Sequence, residues 1–443
     1  MPIASPVAPI PAHSLLVLLL QAGLLLLLAL VFGRLAIRVG LPAVVGELCV
    51  GVVLGPSVLT HVAGDLSHWL LPQQPEQFHL LDAVGQVGVL LLVGVTGMEL
   101  DLGLVRRRGR TALGVSLVGL VVPLALGVLA GWYVPESFLG EAVKERHVFA
   151  LFLGVAMCVS AIPVITKTLA DMNLLHRNVG QLTLAAGMID DLVGWILLSA
   201  VSAMATTGVH ASTVATSLMW LAVVVLLAAT VGHRLLGTAL RMTGRTPGSG
   251  APVALAVAAV LLCSAATQSM GLEAVFGAFV AGIMLRRSGG IELSRLAPMR
   301  AFVMSVLAPL FFATAGLRVD LTALRRPEVL GVALIVLALA VLGKFVGAFV
   351  GARFSRLSRW EALAVGAGMN ARGVIEIVVA SVGLRLGVLT SESYTIVVLV
   401  AVITSMMAPP VLRLATRRIE YTAEEALRAR VAAQARGERL DVV

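Results

Sequence analysis

Thirteen apolar runs separated by short polar segments constrain this chain more than any other feature. They fall at residues 14–33, 42–60, 80–98, 111–132, 148–169, 179–203, 212–232, 251–269, 272–285, 300–316, 328–351, 361–383 and 393–414. A helix needs about 20 mostly apolar residues to cross the hydrocarbon core of a bilayer, since each residue advances it by only about 1.5 Å. The ninth run is short and follows the eighth with almost no loop. No soluble fold could hide so much apolar surface. Hydrophobic residues make up 59% of the 443, and charged residues only 13%, against about 25% in soluble domains. The predicted fold class is an all-α polytopic membrane protein with about thirteen transmembrane helices. Soluble-enzyme, nucleic-acid-binding and disordered classes are excluded on the same ground.

The basic residues orient the runs. With the N-terminus outside, 25 of the 33 Lys and Arg fall on the cytoplasmic side and 6 on the outer side; Lys344 and Arg372 lie inside apolar runs. Cytoplasmic loops carry the excess of Lys and Arg, so the N-terminus is expected outside and the C-terminus in the cytoplasm. The net charge of +9 is therefore spread along one membrane face rather than gathered for nucleic acid. Residues 1–418 read as a membrane transporter domain. Residues 419–443 read as a short charged tail, with one helix at most and no room for a nucleotide-binding domain. No basic residue precedes the first run, which suits a retained span better than a cleaved signal. Cys49, Cys158 and Cys263 lie in apolar runs without CxxC or Cys/His spacing, so small packing residues are expected there.

An ionisable side chain inside a span costs about 2.5–3.5 kcal/mol on insertion scales and so calls for a functional reason. Six such residues stand well away from the run ends: Glu47, Asp190, Asp191, Lys344, Arg372 and Glu376. Asp190 and Asp191 lie mid-run in LTLAAGMIDDLVGWILLSA. Adjacent helical residues point about 100° apart, so the two acids cannot share a direction. Ala186, Gly187 and Gly194 flank Asp190 by one turn and would leave room for water or an ion. The pair reads as a proton or cation site. Lys344 follows Gly343 in a ridge with Gly347 and Gly351 that favours close helix packing. It either snorkels toward the cytoplasm or pairs with one of the aspartates. Glu47 reads equally as a structural acid or as a residue near an ion path. Glu273, near a run end, reads as interfacial.

Two runs look interrupted. In CVSAIPVITKTL, Pro163 breaks the helical ladder after the small Ser160 and Ala161. In GAGMNARGVIEIVV, Gly366, Gly368 and Gly373 surround Asn370 and Arg372. Interrupted helices in corresponding positions of two halves mark inverted-repeat secondary transporters. If runs 1–6 repeat as runs 8–13, the breaks in runs five and twelve correspond. Arg372 and Glu376, one turn apart, would brace the second break as an ion pair.

These strips resemble the monovalent cation:proton antiporter superfamily, in the branch of bacterial Na⁺/H⁺ and K⁺/H⁺ exchangers and plant cation/H⁺ exchangers. The resemblance covers about residues 15–415. It rests on GELCVGVVLGPSVL, AIPVITKTLADMNLL, GQLTLAAGMIDDLVGWILL, GLEAVFGAFVAGIML, LAPLFFATAGLRVDL and MNARGVIEIVVASVGL, in that order. It implies a dimerisation domain, hence a homodimer, and a core domain with two crossed, unwound helices. It implies that Asp191 is the principal carboxylate for H⁺ and the transported cation, and that Asp190 is linked to Lys344. Ser160 then lies at the breakpoint lining the site, together with Pro163, Asn370, Arg372 and Glu376. The strip Ser-Ala-Ile-Pro departs from relatives with Thr, Asp or Phe before the proline, which leaves fewer side-chain oxygens and keeps Na⁺ and K⁺ both open.

The expected activity is exchange of Na⁺ or K⁺ for H⁺ by alternating access, with no enzymatic step and no cofactor. The expected location is a bacterial plasma membrane, and the Ala/Gly/Arg/Val-rich composition points to a high-GC bacterium. A proton-coupled exporter of a larger organic solute on the same fold is the alternative. An intramembrane aspartyl protease would need its acids on two facing helices, and a passive channel would need neither paired breaks nor a titratable centre.

Overall fold

In lipid, a helix is one of the few backbones that satisfies its own hydrogen bonds, and the apolar runs fold accordingly. The computed structural model describes residues 10–70, 75–141, 146–207, 211–243, 250–289 and 293–428. Lys144, Arg245 and the tail from residue 429, all used in the charge and tail readings above, lie outside the described residues. Among the described residues there is no strand; an isolated bridge pairs Leu139 with Leu389. Eleven helices among the described residues are long and apolar enough to cross a membrane, and the bent pair Arg359–Met369 and Val374–Arg385 makes a twelfth span if counted as one. The ninth run forms the 14-residue helix Ala274–Arg287, shorter than a full crossing requires.

The chain divides into two units. One comprises Met1–Val89 and Ala301–Leu321. Its core gathers Leu25, Val50, Leu81, Leu310, Ala313 and Leu317. The helix Ala43–Leu54 ends at Gly55, where Gly55-Pro56 is expected to stop it. It packs closely because Gly46 lies against the Phe32 backbone and Gly51 against the backbone of Ala313 and Gly316. The loop after it is tied by Ser57, whose hydroxyl donates to Val319 O at 2.8 Å and accepts from Leu321 N at 2.9 Å. Arg318 pairs with Asp82 at 2.5 Å. Cys49 is exposed rather than a core residue.

The other unit comprises Leu90–Arg300 and Thr322–Val443. Two long helices frame it, Leu102–Tyr133 and Pro327–Phe354. The glycine ridge expected on the latter brings them together: Cβ atoms on Gly347 and Gly351 would lie 2.8 Å and 2.7 Å from the carbonyl oxygens of Val118 and Gly114. Between them run the unbroken helix Asn178–Thr207, which carries both aspartates, and two interrupted spans. The first interrupted span is Arg146–Cys158 followed by Ile162–Asp171; the second is the bent pair, kinked by 41°.

Candidate functional site

Each break has a local cause. In the first span, Pro163 stands in the opening turn of Ile162–Asp171, where its missing N–H costs nothing. Ala161 just before it is extended, with φ −131° and ψ 100°. In the second, Gly373 takes φ 149° and ψ −101°, a conformation that L side chains rarely adopt. A Cβ there would also lie 2.9 Å from Val164 of the first span. The breaks lie against each other. Ala161 N–H donates to Ala371 O at 3.3 Å, and Ser160 Oγ donates to Met369 O at 3.1 Å.

The aspartate helix passes beside these breaks, and the two acids meet different surroundings. Asp190 is surrounded by donors. Its Oδ1 accepts from Ser116 Oγ at 2.5 Å, and its Oδ2 accepts from Ser160 Oγ at 2.9 Å and from Lys344 Nζ. Ser160 has one hydroxyl proton, which Asp190 and the Met369 carbonyl share or contest. Lys344 Nζ also donates to Cys158 O at 2.5 Å. That carbonyl is free because the helix ends at Cys158, and the negative end of a helix favours a cation. Asp190 and Lys344 are both 0% exposed, so the lysine does not snorkel.

Asp191, equally buried, has no hydrogen-bond partner on either oxygen within the protein. The N–H of Ile162, at the start of the helix after the first break, interacts with it electrostatically without reaching hydrogen-bond geometry.

The small residues beside the aspartates do something other than leave space. A Cβ on Gly187 would lie 3.2 Å from Ile165, and one on Gly194 2.8 Å from Val159. These glycines admit the first broken span against the aspartate helix. Arg372 pairs with Glu376 at 3.3 Å, as their spacing suggests, and donates to Ala340 O at 2.9 Å. Arg372 Nε, Glu376 Oε2 and Asn370 Oδ1 stay buried without partners. Glu273 is buried and paired with Arg385 at 2.7 Å, so the interfacial reading gives way to a structural ion pair. Glu47 lies in the other unit, half-buried beside Gly33.

Two contributors escaped the sequence reading. Ser116 is an ordinary hydroxyl in an apolar run; such serines usually bond their own helix, and only its position opposite Asp190 gives it a role. Cys158 matters through its carbonyl, which no side-chain pattern reveals. No group of three or more His, Cys, Asp or Glu able to hold a metal occurs among the described residues.

A helical membrane bundle holding a paired and an unpaired carboxylate beside two broken spans defines the class: a polytopic membrane transporter. The model of the transmembrane sodium/hydrogen exchanger family matches residues 24–417, and the chain belongs to that family. It is 30% identical to the Na(+)/H(+) antiporter NhaS4 of Synechocystis sp. over 400 residues, 90% of this chain and 97% of that one. It is also 30% identical to the Cation/H(+) antiporter 20 of Arabidopsis thaliana over 391 residues, 83% of this chain and 45% of the plant protein. The chain thus spans about half the length of that plant relative. The solved structure of the sodium proton antiporter MjNhaP1 from Methanocaldococcus jannaschii shares the fold, with a TM-score of 0.68 at 16% identity, covering 91% of this chain and 99% of that one.

Proposed function

We propose that the chain exchanges a monovalent cation, Na⁺ or K⁺, for H⁺ across a bacterial plasma membrane, with Asp191 as the shared binding carboxylate. The observation that carries this reading is the contrast between the two acids. Asp190 is neutralised by Lys344 and two hydroxyls. Asp191 is fully buried and bonded to nothing in the protein. A bare carboxylate in such a site is too costly to persist. It must hold a proton or a cation, and it cannot hold both. That exclusion is the basis of exchange: whichever side the site faces, one ion has to leave before the other binds.

The broken spans supply what a cation needs. Backbone carbonyls freed at the breaks can replace part of its hydration, and the N–H of Ile162 offers a counter-dipole when the carboxylate is ionised. Asp190 with Lys344 holds the first break to the long helix, and Arg372 with Glu376 braces the second. No cofactor enters this scheme. The same reading takes residues 1–418 as the transporter domain, 419–443 as a cytoplasmic tail, and a homodimer as the working unit. The relatives are named for cation exchange, and no feature of the site favours a larger organic solute.

The test is collapse of an imposed ΔpH in proteoliposomes on addition of Na⁺, Li⁺, K⁺ or Rb⁺. Wild-type protein should respond to Na⁺ or K⁺. Asp191→Asn, which can neither release a proton nor offer a full negative charge, should abolish the response while remaining folded. Exchange by Asp191→Asn near the wild-type rate would overturn the assignment.

A further inference from the structure

Beyond Asp191, the same face of its helix carries a row of buried polar groups that nothing in the protein satisfies. Trp195 Nε1, Ser199 Oγ and Ser202 Oγ all lack a hydrogen-bond partner, and none of the three residues is more than 2% exposed. With Asp191 they stand at steps of four, four and three residues. At 100° per residue this confines them to a sector of about 80°.

Hydroxyls inside helices ordinarily donate back to the preceding turn, and several in this protein do. Thr183 bonds Val179 O at 2.8 Å, Thr206 bonds Ser202 O at 3.2 Å, and Thr404 bonds Val400 O at 2.8 Å. Ser199 and Ser202 are exceptions on one stripe, joined by an indole N–H. Buried polar groups are nearly always paired with protein or with water.

The spacing suits water. Successive members lie one turn apart, about 4.5–6 Å along the axis, close to two hydrogen-bond lengths. One water between each pair would bridge its neighbours and gain the two or more polar partners that a buried water requires. The stripe is one-sided. Toward the Asn178 end the same steps reach Gly187, Thr183 and Gly180, and the one hydroxyl among them, on Thr183, is already bonded to its own helix.

We propose that Trp195, Ser199 and Ser202 hold a file of water running about 16 Å from Asp191 toward the Thr207 end of the helix, and that protons and the cation reach the carboxylate along it. This deepens the reading of Asp191 as the exchange site and rests on it. The stripe belongs to one half of the path only, the half that opens toward the end of the helix away from Asn178.

Single cysteines at Ser199 and Ser202, in the full chain with Cys49, Cys158 and Cys263 replaced, test the path without requiring transport. A small charged methanethiosulfonate should modify both at least about tenfold faster than cysteines at Val201 and Ala203, which are also buried and point outside the sector by about 40° or more, if a water route lowers the barrier by one decade. Equal rates at all four positions would overturn the proposal. In a second measurement, Ser199→Ala with Ser202→Ala should lower turnover roughly tenfold, as expected for lost hydrogen bonds of ordinary strength. Wild-type turnover in the double alanine variant would equally refute the file. Failure of the site reading looks different: Asp191→Asn would still exchange, while the labelling contrast stood.

Discussion

Removing Lys344 should reveal how much the buried pair contributes. Asp190 and Lys344 are 0% exposed, so neither charge can turn to water when its partner goes. Breaking a pair of this kind typically costs about 3–5 kcal/mol. The structure grades the two halves. After Lys344→Ala, Asp190 keeps the hydroxyls of Ser116 and Ser160, so the loss should fall near 3 kcal/mol, the low end of that range. After Asp190→Asn, the ammonium keeps the Cys158 carbonyl and at best a neutral amide oxygen, so the loss should fall toward about 5 kcal/mol. The double variant has no stranded charge and should be milder than the sum of the singles, by a coupling of about 1–3 kcal/mol. The assay is a double-mutant cycle by thermal melting in detergent, with far-ultraviolet circular dichroism to exclude misfolding. Strict additivity would remove the pair from the architecture of the site. If the pair also carries a transported proton, Lys344→Gln should still bind cation but lose its dependence on membrane potential; an unchanged potential dependence would assign the lysine a structural role alone.

Three further outcomes follow from particular contacts. Gly373→Ala forces a side chain into φ 149° and against Val164, so it should destabilise by about 1–3 kcal/mol and depress exchange; a melting temperature equal to wild type would mean the break tolerates an ordinary residue. Glu425 is buried, which by itself raises its pKa, but the N–H groups of Asn178 and Thr422 and the Arg177 guanidinium more than offset this and hold it below 4.5. The carboxylate therefore stabilises the fold above its unfolded pKa and stops doing so as pH falls through the lower folded value; Glu425→Gln should melt below wild type at pH 7 and match it in acid, and a pH-independent gap would refute the ionic account. For orientation, a cysteine at Gln74, which lies outside the described residues, should react with an impermeant thiol reagent from outside; labelling only after permeabilisation would invert the topology.

The apolar runs made most of the helices legible, because lipid leaves the backbone few other options and the length of a crossing is fixed. The charges within them marked the candidate residues for the same reason: Asp190, Asp191, Lys344, Arg372 and Glu376 are costly inside a span, and all five are buried. The pairing inside the site was less accessible. Asp190 and Asp191 are neighbours in sequence, and only the approach of a helix 154 residues away decides which acid meets the lysine. The glycines misled in a specific way. Gly187 and Gly194 read as room for an ion, yet the space beside them is taken by Ile165 and Val159 of the first broken span, because sequence shows a missing side chain but not what fills its place. Glu273 looked interfacial by its position near a run end, and its partner Arg385 lies 112 residues on.

The adjacency of the two aspartates has a mechanical consequence. About 100° separates their directions on the helix, so one rigid element presents a neutralised acid to the long helix Pro327–Phe354 and a free acid to the breaks. Ser160 links the arrangement to both interrupted spans, since it touches Asp190 and the Met369 carbonyl. A cation that recruits the carbonyls freed at the breaks would pull on the same segment that Lys344 anchors through Cys158. If Asp191 is the exchange site, its loading and the Asp190–Lys344 pair would meet through the backbone from Cys158 to Ile162, a separation of only four residues.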